Sequence, residues 1–347
     1  MLADQLDYAI GVDPHRDAHA IAVIEVRTGV VVFEAIVAAD TSGYAAALEV
    51  AERHAPGCRA FAVEGTGSYG AGLTRFLSRS GEQVFEVGRL RRERRSGGKT
   101  DKLDAIRAAR VLLGEKRPAI PRAGGPREAM RALLAAREGA VSARTAAYCQ
   151  LRDLLVTTPE PVRRELRPLS PARLLARLTA ARPDRRQDPE LRGSLLALKA
   201  VARRIQQLTA EERQLAREIE QLVRALAPQL LDQPGIGPLL AAQLVLSWSH
   251  PGRLHSEAAF ARLAGAAPIP ASSGQTIRYR LDRSGDRKLN RTLHQIIVTR
   301  RRWHQPTIDY INRRVQEGKT RREATRCLKR YLARNLFRLL ENPPQTT

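Results

Sequence analysis

The chain has 347 residues, enough for two or three domains with buried cores. Its 59 Lys and Arg against 36 Asp and Glu give a formal net charge of +23, which points to a polyanionic partner, most simply nucleic acid, with a membrane surface as the weaker alternative. The opening "MLADQLDYAIGVD" has acids where a secretion signal needs positive charge, "LLAAQLVLSW" (239–248) is too short to span a bilayer, and Cys58, Cys149 and Cys327 form no CxxC pair, so a reducing cytoplasm is expected and a zinc site or disulfide framework is not.

In chain order, "DYAIGVD", "HAIAVIEV" and "GVVVFEAIVA" (7–38) read as three strands joined by tight turns. "SGYAAALEVAERH" (42–54) reads as a helix with Ser42 as N-cap, "CRAFAVEG" (58–65) as a fourth strand ending at Glu64, and "GAGLTRFLSRSG" (70–81) as a short helix. "EQVFEVG" (82–88) is a fifth strand. An arginine-dense loop, 89–99, then leads into a helix over about 101–113. Three hairpin-connected strands followed by alternating helix and strand predict a mixed α/β sheet with the ribonuclease H-like order.

From about residue 126 the pattern becomes helical. Residues 157–193, rich in Pro, Arg and Thr, read as a linker or a helical insert. Over 195–227, Val201, Ile205, Leu208, Glu212, Leu215, Ile219, Leu222 and Leu226 recur at alternating spacings of four and three. Two readings are open: a coiled coil between chains, or an amphipathic helix packed within one chain. Glu212 interrupts the stripe. "PGIG" (234–237) is a tight turn before a helix; Gly235 and Gly237 are placed to offer backbone N–H groups to a phosphate, as in a helix-hairpin-helix element, or form a plain turn. Between Arg278 and Arg338 lie 19 Lys or Arg against 5 Asp or Glu. "KTRREATRCLKRYLARNLFRLL" (319–340) predicts a helix with Ala324, Leu328, Tyr331, Leu332, Asn335 and Leu339 on one side and a basic face opposite, suited to phosphates. With aromatics at only 4%, nucleic-acid contact is expected to lean on charge more than on stacking.

Four acids form the sharpest constellation. Asp13 ends the first strand and Glu64 the fourth, which are expected to be neighbours; Asp101 and Asp104 share a helix face at i, i+3. Taken alone, Asp101 and Asp104 are ordinary acids of a first helical turn. Together with Asp13 and Glu64 they fit a carboxylate set for Mg²⁺, with Mn²⁺ as an alternative, compensated by the metal rather than left to repel. Arg91, Arg92, Arg94, Arg95 and Lys99 would then lead a polyanion to the metals. His15 and His19 flank Asp13 and are read as supporting or surface groups rather than ligands. A second loop, "ASSGQTIRYR" (271–280), holds Ser272 and Ser273; on the residues alone it is turn chemistry.

"GVDPHRDAHAIAV", "VEGTGSYG", "GKTDKLDAIRAARVL", "PGIGPLLAAQLV" and "AGAAPIPASSGQ…RLDRSGDRKLNRTLHQI" fall, in this order, as in DEDD transposases of insertion-sequence family 110, a family that includes pilin inversion recombinases. The resemblance covers nearly the whole chain and is weakest over 157–193. It implies a RuvC-like DEDD domain (1–125), a helical linker and coiled coil (126–228), and a C-terminal transposase domain (229–347) with a helix-hairpin-helix and a serine loop. It maps the metal-binding tetrad onto Asp13, Glu64, Asp101 and Asp104, and the nucleophile that links covalently to DNA onto Ser273, with Ser272 the competing neighbour.

The implied partners are donor and target DNA and a non-coding bridge RNA. The implied assembly is a homo-tetramer built from dimers, in a cytoplasmic, nucleoid-associated setting of bacterial type. Arg278, Arg280, Arg287, Lys288, Arg321, Arg322, Lys329 and Arg330 join the expected nucleic-acid surface. One departure is Arg16, where many members carry lysine; arginine serves less readily as a proton donor. Two other functions use parts of the same residues: a RuvC-like junction resolvase that activates water and needs no serine, and a degenerate protein that only binds nucleic acid.

Overall fold

The computed structural model describes residues 2–88, 101–185, 188–271, 279–280, 282 and 284–343. The chain divides into two compact units, residues Met1–Gly124 with Ser249–Arg253, and Gly125–Trp248 with Leu254–Thr347.

The first unit is built on a five-stranded sheet: β1 (Tyr8–Pro14), β2 (Ala18–Glu25), β3 (Val31–Ala38), β4 (Arg59–Glu64) and β5 (Gln83–Val87), in the order β3-β2-β1-β4-β5. β1–β2 and β2–β3 pair antiparallel, as short turns require, whereas β1–β4 and β4–β5 pair parallel across helical crossovers. Burial follows position. β1 and β2 are apolar on both faces and almost wholly buried, while β3, at the edge, alternates. One side is covered by α1 (Thr41–His54) and α2 (Ala71–Arg79), with Leu73 of α2 packed over Ile10, Ile21 and Phe61. The other carries α3 (Asp101–Gly114).

The N-cap of α1 is Asp40 rather than Ser42. Its carboxylate accepts from Gly43 N at 2.9 Å, and the Ser42 hydroxyl donates to the same oxygen at 2.7 Å. Aspartate is as good a cap as serine and sits at the extended residue that precedes the helix.

The second unit is mostly helical. α4 (Pro126–Thr157) and α7 (Pro189–Leu226) pack along one another in antiparallel fashion: Met130 and Leu134 share a core with Ile219 and Val223, and Ala147 and Leu151 share one with Val201 and Ile205. The seam of α7 is therefore filled from within the chain. The interruption at Glu212 has a partner for each oxygen, in Arg137 and Arg144 of α4. Beyond it the stripe drifts: Val223 is buried where Leu222 was expected, and Leu226 is 40% exposed. α5 (Glu160–Leu166) and α6 (Pro171–Ala180) occupy the connection, with Leu166 and Leu178 in the α4–α7 core, so 157–193 is a helical insert and not a bare linker.

The apolar stretch 239–248 is α8 (Pro238–Trp248), a core helix packed with α9 (Glu257–Leu263), α10 (Arg287–Arg300) and α12 (Arg321–Glu341); α11 (Gln305–Gln316) joins the last two. The region is not purely helical. A two-stranded ladder, β6 (Ile269–Pro270) with β7 (Tyr279–Arg280), closes the base of the segment holding the two serines. Two residues a side gave no alternating pattern by which to see it. On α12 the buried residues are Ala324, Leu332, Ala333, Leu336, Phe337 and Leu340; Tyr331 and Asn335, expected on the apolar side, are exposed. No described helix is long and apolar enough to cross a membrane.

Candidate functional site

The acidic site begins with the strand register. β1 and β4 run parallel and pair through Val12↔Val63, so Asp13 and Glu64 are the next residues on neighbouring strands and leave the same edge of the sheet. Both are half-buried.

The third element reaches them because of Gly11. A Cβ there would lie 1.8 Å from the carbonyl oxygen of Ala105, so only glycine lets α3 press onto β1 at this depth. Ala105, Ala108 and Ala109 make the matching small face, all fully buried. This contact sets Asp104, one residue before Ala105, beside the end of β1, with Asp101 a turn earlier at the start of α3. The side chain of Asp101 lies outside the described residues.

Two of the acids have close side-chain neighbours. Asp104 accepts from Arg107 at 2.8 Å, and Asp13 faces His15 Nε2 at 3.2 Å. Among the described residues no three His, Cys, Asp or Glu side chains are gathered closely enough to hold one metal ion. The structure thus brings the strand ends bearing Asp13 and Glu64 together with the helix start, without closing a cation cage around the described side chains. The donor set itself is all carboxylate oxygen, the chemistry a hard divalent cation takes.

The histidines part ways. His15 contacts Asp13, whereas His19 is fully buried and stacked on Tyr44 with ring centroids 5.8 Å apart. Burial holds the His19 pKa below its ordinary value, with the neighbouring His15 lowering it further against a backbone contact at Ala18. Arg16 turns to its neighbour Asp17 at 2.8 Å, both side chains more than three-quarters exposed.

In the second unit, Gly235 takes φ +72° in the turn before α8, and Arg300 Nε donates to Pro234 O at 2.7 Å, pinning that turn from α10. Gly237 directly precedes α8. Ser272, Ser273 and Arg278 lie outside the described residues, as do Arg91, Arg92, Arg94, Arg95 and Lys99.

The remaining basic residues divide. Arg280, Arg287, Lys329 and Arg330 line one groove between β7, α10 and α12. Arg321 and Arg322 are exposed on the first turn of α12, and Lys288 pairs with Glu138 at 2.7 Å on the surface. The groove also contains Tyr310, Arg313, Arg326, Tyr331 and Arg334, which sequence reasoning did not select. The available signal was Tyr331 set within Arg326, Arg330 and Arg334 at helical spacing, but Tyr331 had been assigned to the apolar side.

Two family models match parts of the chain. A family model for DEDD transposases of the IS110 group matches residues 10–159, which contain the sheet and α3. A second, described as "Transposase IS116/IS110/IS902 family", matches residues 227–312, from the turn before α8 into α11. A search of curated proteins finds no significant match. With two models of one family matching successive parts of the chain in the order their motifs occur, the protein belongs to the IS110 family of DEDD transposases, whose work is DNA transposition and recombination.

Proposed function

We propose that this transposase cleaves and rejoins DNA with Ser273 as nucleophile, assisted by the Asp13, Glu64, Asp101 and Asp104 carboxylates, and that a bridge RNA selects its DNA partners. The observation that carries the reading is the convergence of Asp13, Glu64 and the start of α3, imposed by the β1–β4 register and the Gly11–Ala105 contact. That arrangement gives an otherwise costly set of acids a common purpose.

Asp13, Glu64, Asp101 and Asp104 would hold Mg²⁺, which when bound supplies Lewis-acid stabilisation of charge on the phosphate oxygens. Arg107, which donates to Asp104 at 2.8 Å, would offset part of that carboxylate's charge until then. The serine Oγ bonds to a DNA phosphorus while the sugar oxygen of the scissile bond leaves and takes up a proton; attack by a sugar hydroxyl of another strand reverses the step and frees the serine. The arginines of the 89–99 loop and the cationic groove beside β7 would bind the phosphates on either side. A homo-tetramer would let carboxylates and serine of different subunits share one composite site.

Two experiments test this. Asp13→Asn and Asp104→Asn are each expected to lower strand transfer by at least 100-fold on cognate DNA while leaving nucleic-acid binding intact; normal transfer in both removes the carboxylate role. RNA retained at high salt by protein expressed with its native flanking DNA is expected to be one discrete transcript from that flank. Heterogeneous RNA lost with salt would remove the guide.

A further inference from the structure

The groove in the second unit has a volume of about 1140 Å³ and carries nine Lys or Arg against three Asp or Glu. The three acids are too few to neutralise it, and each accepts from a backbone amide rather than bridging to one of these cations. Asp282 accepts from Ser284 N at 2.8 Å, Asp286 caps α10, and Glu323 completes the capping box of α12 with Thr320. Among the described residues, Arg326, Lys329 and Arg330 form no ion pair with a carboxylate. Lys329 reaches only the amide oxygen of Asn290 at 3.0 Å, and Arg330 only the backbone oxygen of Glu257 at 3.4 Å. Burial, and the charge of Arg326, hold the Lys329 pKa below its ordinary value, the mark of a cation cluster short of anions.

Two aromatic rings stand among these cations. Tyr310 and Tyr331 meet edge to face with centroids 5.8 Å apart, and Tyr331 is 50% exposed. Arg313 lies over Tyr310 at 5.5 Å and Arg334 over Tyr331 at 5.9 Å, each bracing its ring from one side, and half of the Tyr331 surface stays open to solvent. An exposed ring braced by guanidinium groups inside a cationic groove is the arrangement that takes a base by its face and the backbone by its phosphates. In a duplex, base faces are covered by their neighbours, so the arrangement selects an unpaired nucleotide.

We propose that the groove binds an unpaired nucleotide of a DNA strand, its base stacked on Tyr331 and its flanking phosphates held by Arg326, Lys329 and Arg330. DNA is favoured by place: β7 lines the groove and closes the β6–β7 hairpin whose loop contains Ser273 in sequence, so this part of the inference rests on the serine reading above. It is favoured by chemistry as well. Asn290 is already engaged through both its amide groups, with Ala264 O and with Lys329, and the Ser284 hydroxyl donates to Asp282. These engagements leave the two side chains less available to read a ribose 2′-hydroxyl or a base edge.

The test uses the full-length protein and a 12-nucleotide oligo(dT) carrying one 5-iododeoxyuridine, which photocrosslinks to a stacked aromatic side chain. The crosslink is expected on the α12 peptide that contains Tyr331. Tyr331→Leu should remove it and weaken binding of the single strand roughly tenfold, with duplex binding changed by less than twofold; Tyr331→Trp should preserve both. Arg330→Gln should leave the crosslink in place and flatten the salt dependence of binding. Unchanged affinity in Tyr331→Leu, or a crosslink mapping elsewhere, overturns the proposal, and equal Tyr331-dependent binding of oligo(rU) overturns its assignment to DNA. Two separate readouts distinguish this proposal from the serine reading: the crosslink in Ser273→Ala reports the groove alone, and the covalent DNA adduct of wild-type protein on cognate DNA reports the serine alone.

Discussion

A single hydrogen at Gly11 determines whether the acids can meet. Adding a methyl group would drive it into the Ala105 carbonyl, and neither backbone can yield without parting α3 from β1. Gly11→Ala is expected to cost about 3 kcal/mol in urea unfolding of the first unit and to abolish strand transfer, although no carboxylate is touched. His19 makes a second residue-scale prediction. Its folded pKa lies below the ordinary value of 6.5, so the unfolded chain takes up the proton first and stability falls as pH drops from about 6.5 through the folded value. Wild-type protein should therefore lose more thermal stability between pH 7.5 and 5.5 than His19→Asn does, measured by calorimetry at both pH values. The placement of the four acids at strand ends and a helix start was legible in the sequence because the strand and helix patterns bracket them. Gly11 was not, because a glycine in an apolar run does not say which backbone approaches it. The Asp40 cap was missed because Ser42 is also a good cap and lies two residues nearer the apolar periodicity.

Among the elements, the α4–α7 pair shows what a heptad stripe can and cannot specify. The alternation of four and three located a long helix with a buried seam, and α7 runs from Pro189 to Leu226. It did not name the partner, since the same stripe serves a second chain or an antiparallel neighbour. Glu212 identifies the neighbour through its contacts with Arg137 and Arg144, about two turns apart on α4, and the antiparallel order follows from the cores at either end. These three side chains are mostly buried, so Glu212→Leu would strand two arginines and is expected to destabilise the second unit by about 2–3 kcal/mol, with the loss read as a lower urea midpoint. The double change Arg137→Leu with Glu212→Leu should recover part of it. Helix α12 teaches the complementary lesson. Its apolar stripe was drawn to include Tyr331, because tyrosine reads as hydrophobic in a pattern; the core is filled instead by Leu332, Ala333, Leu336 and Phe337, which turns Tyr331 into the groove. The proposal above needs only one or two rings where the fold gathers cations around them, which a low aromatic content does not preclude.

For the whole molecule, net charge of +23 states that the partner is a polyanion but not where it binds. The fold distributes that charge into the groove between β7, α10 and α12, while other cations are spent on intramolecular pairs such as Lys288 with Glu138. The sheet order, the helical second unit and the family were legible because they rest on periodicity and on motifs in a fixed sequence. The closing of the site was not, since it depends on residues of different elements, and on this reading of different subunits. The most direct test of the central claim is to assemble the protein with its co-purified RNA, Mg²⁺ and cognate DNA, quench in denaturant, and sequence the protein–DNA adduct by mass spectrometry. The account predicts a nucleotide phosphate on Ser273, absent in Ser273→Ala and strongly reduced in Asp104→Asn. DNA cleavage that depends on Asp104 but yields no serine adduct would contradict it and assign the chemistry to water.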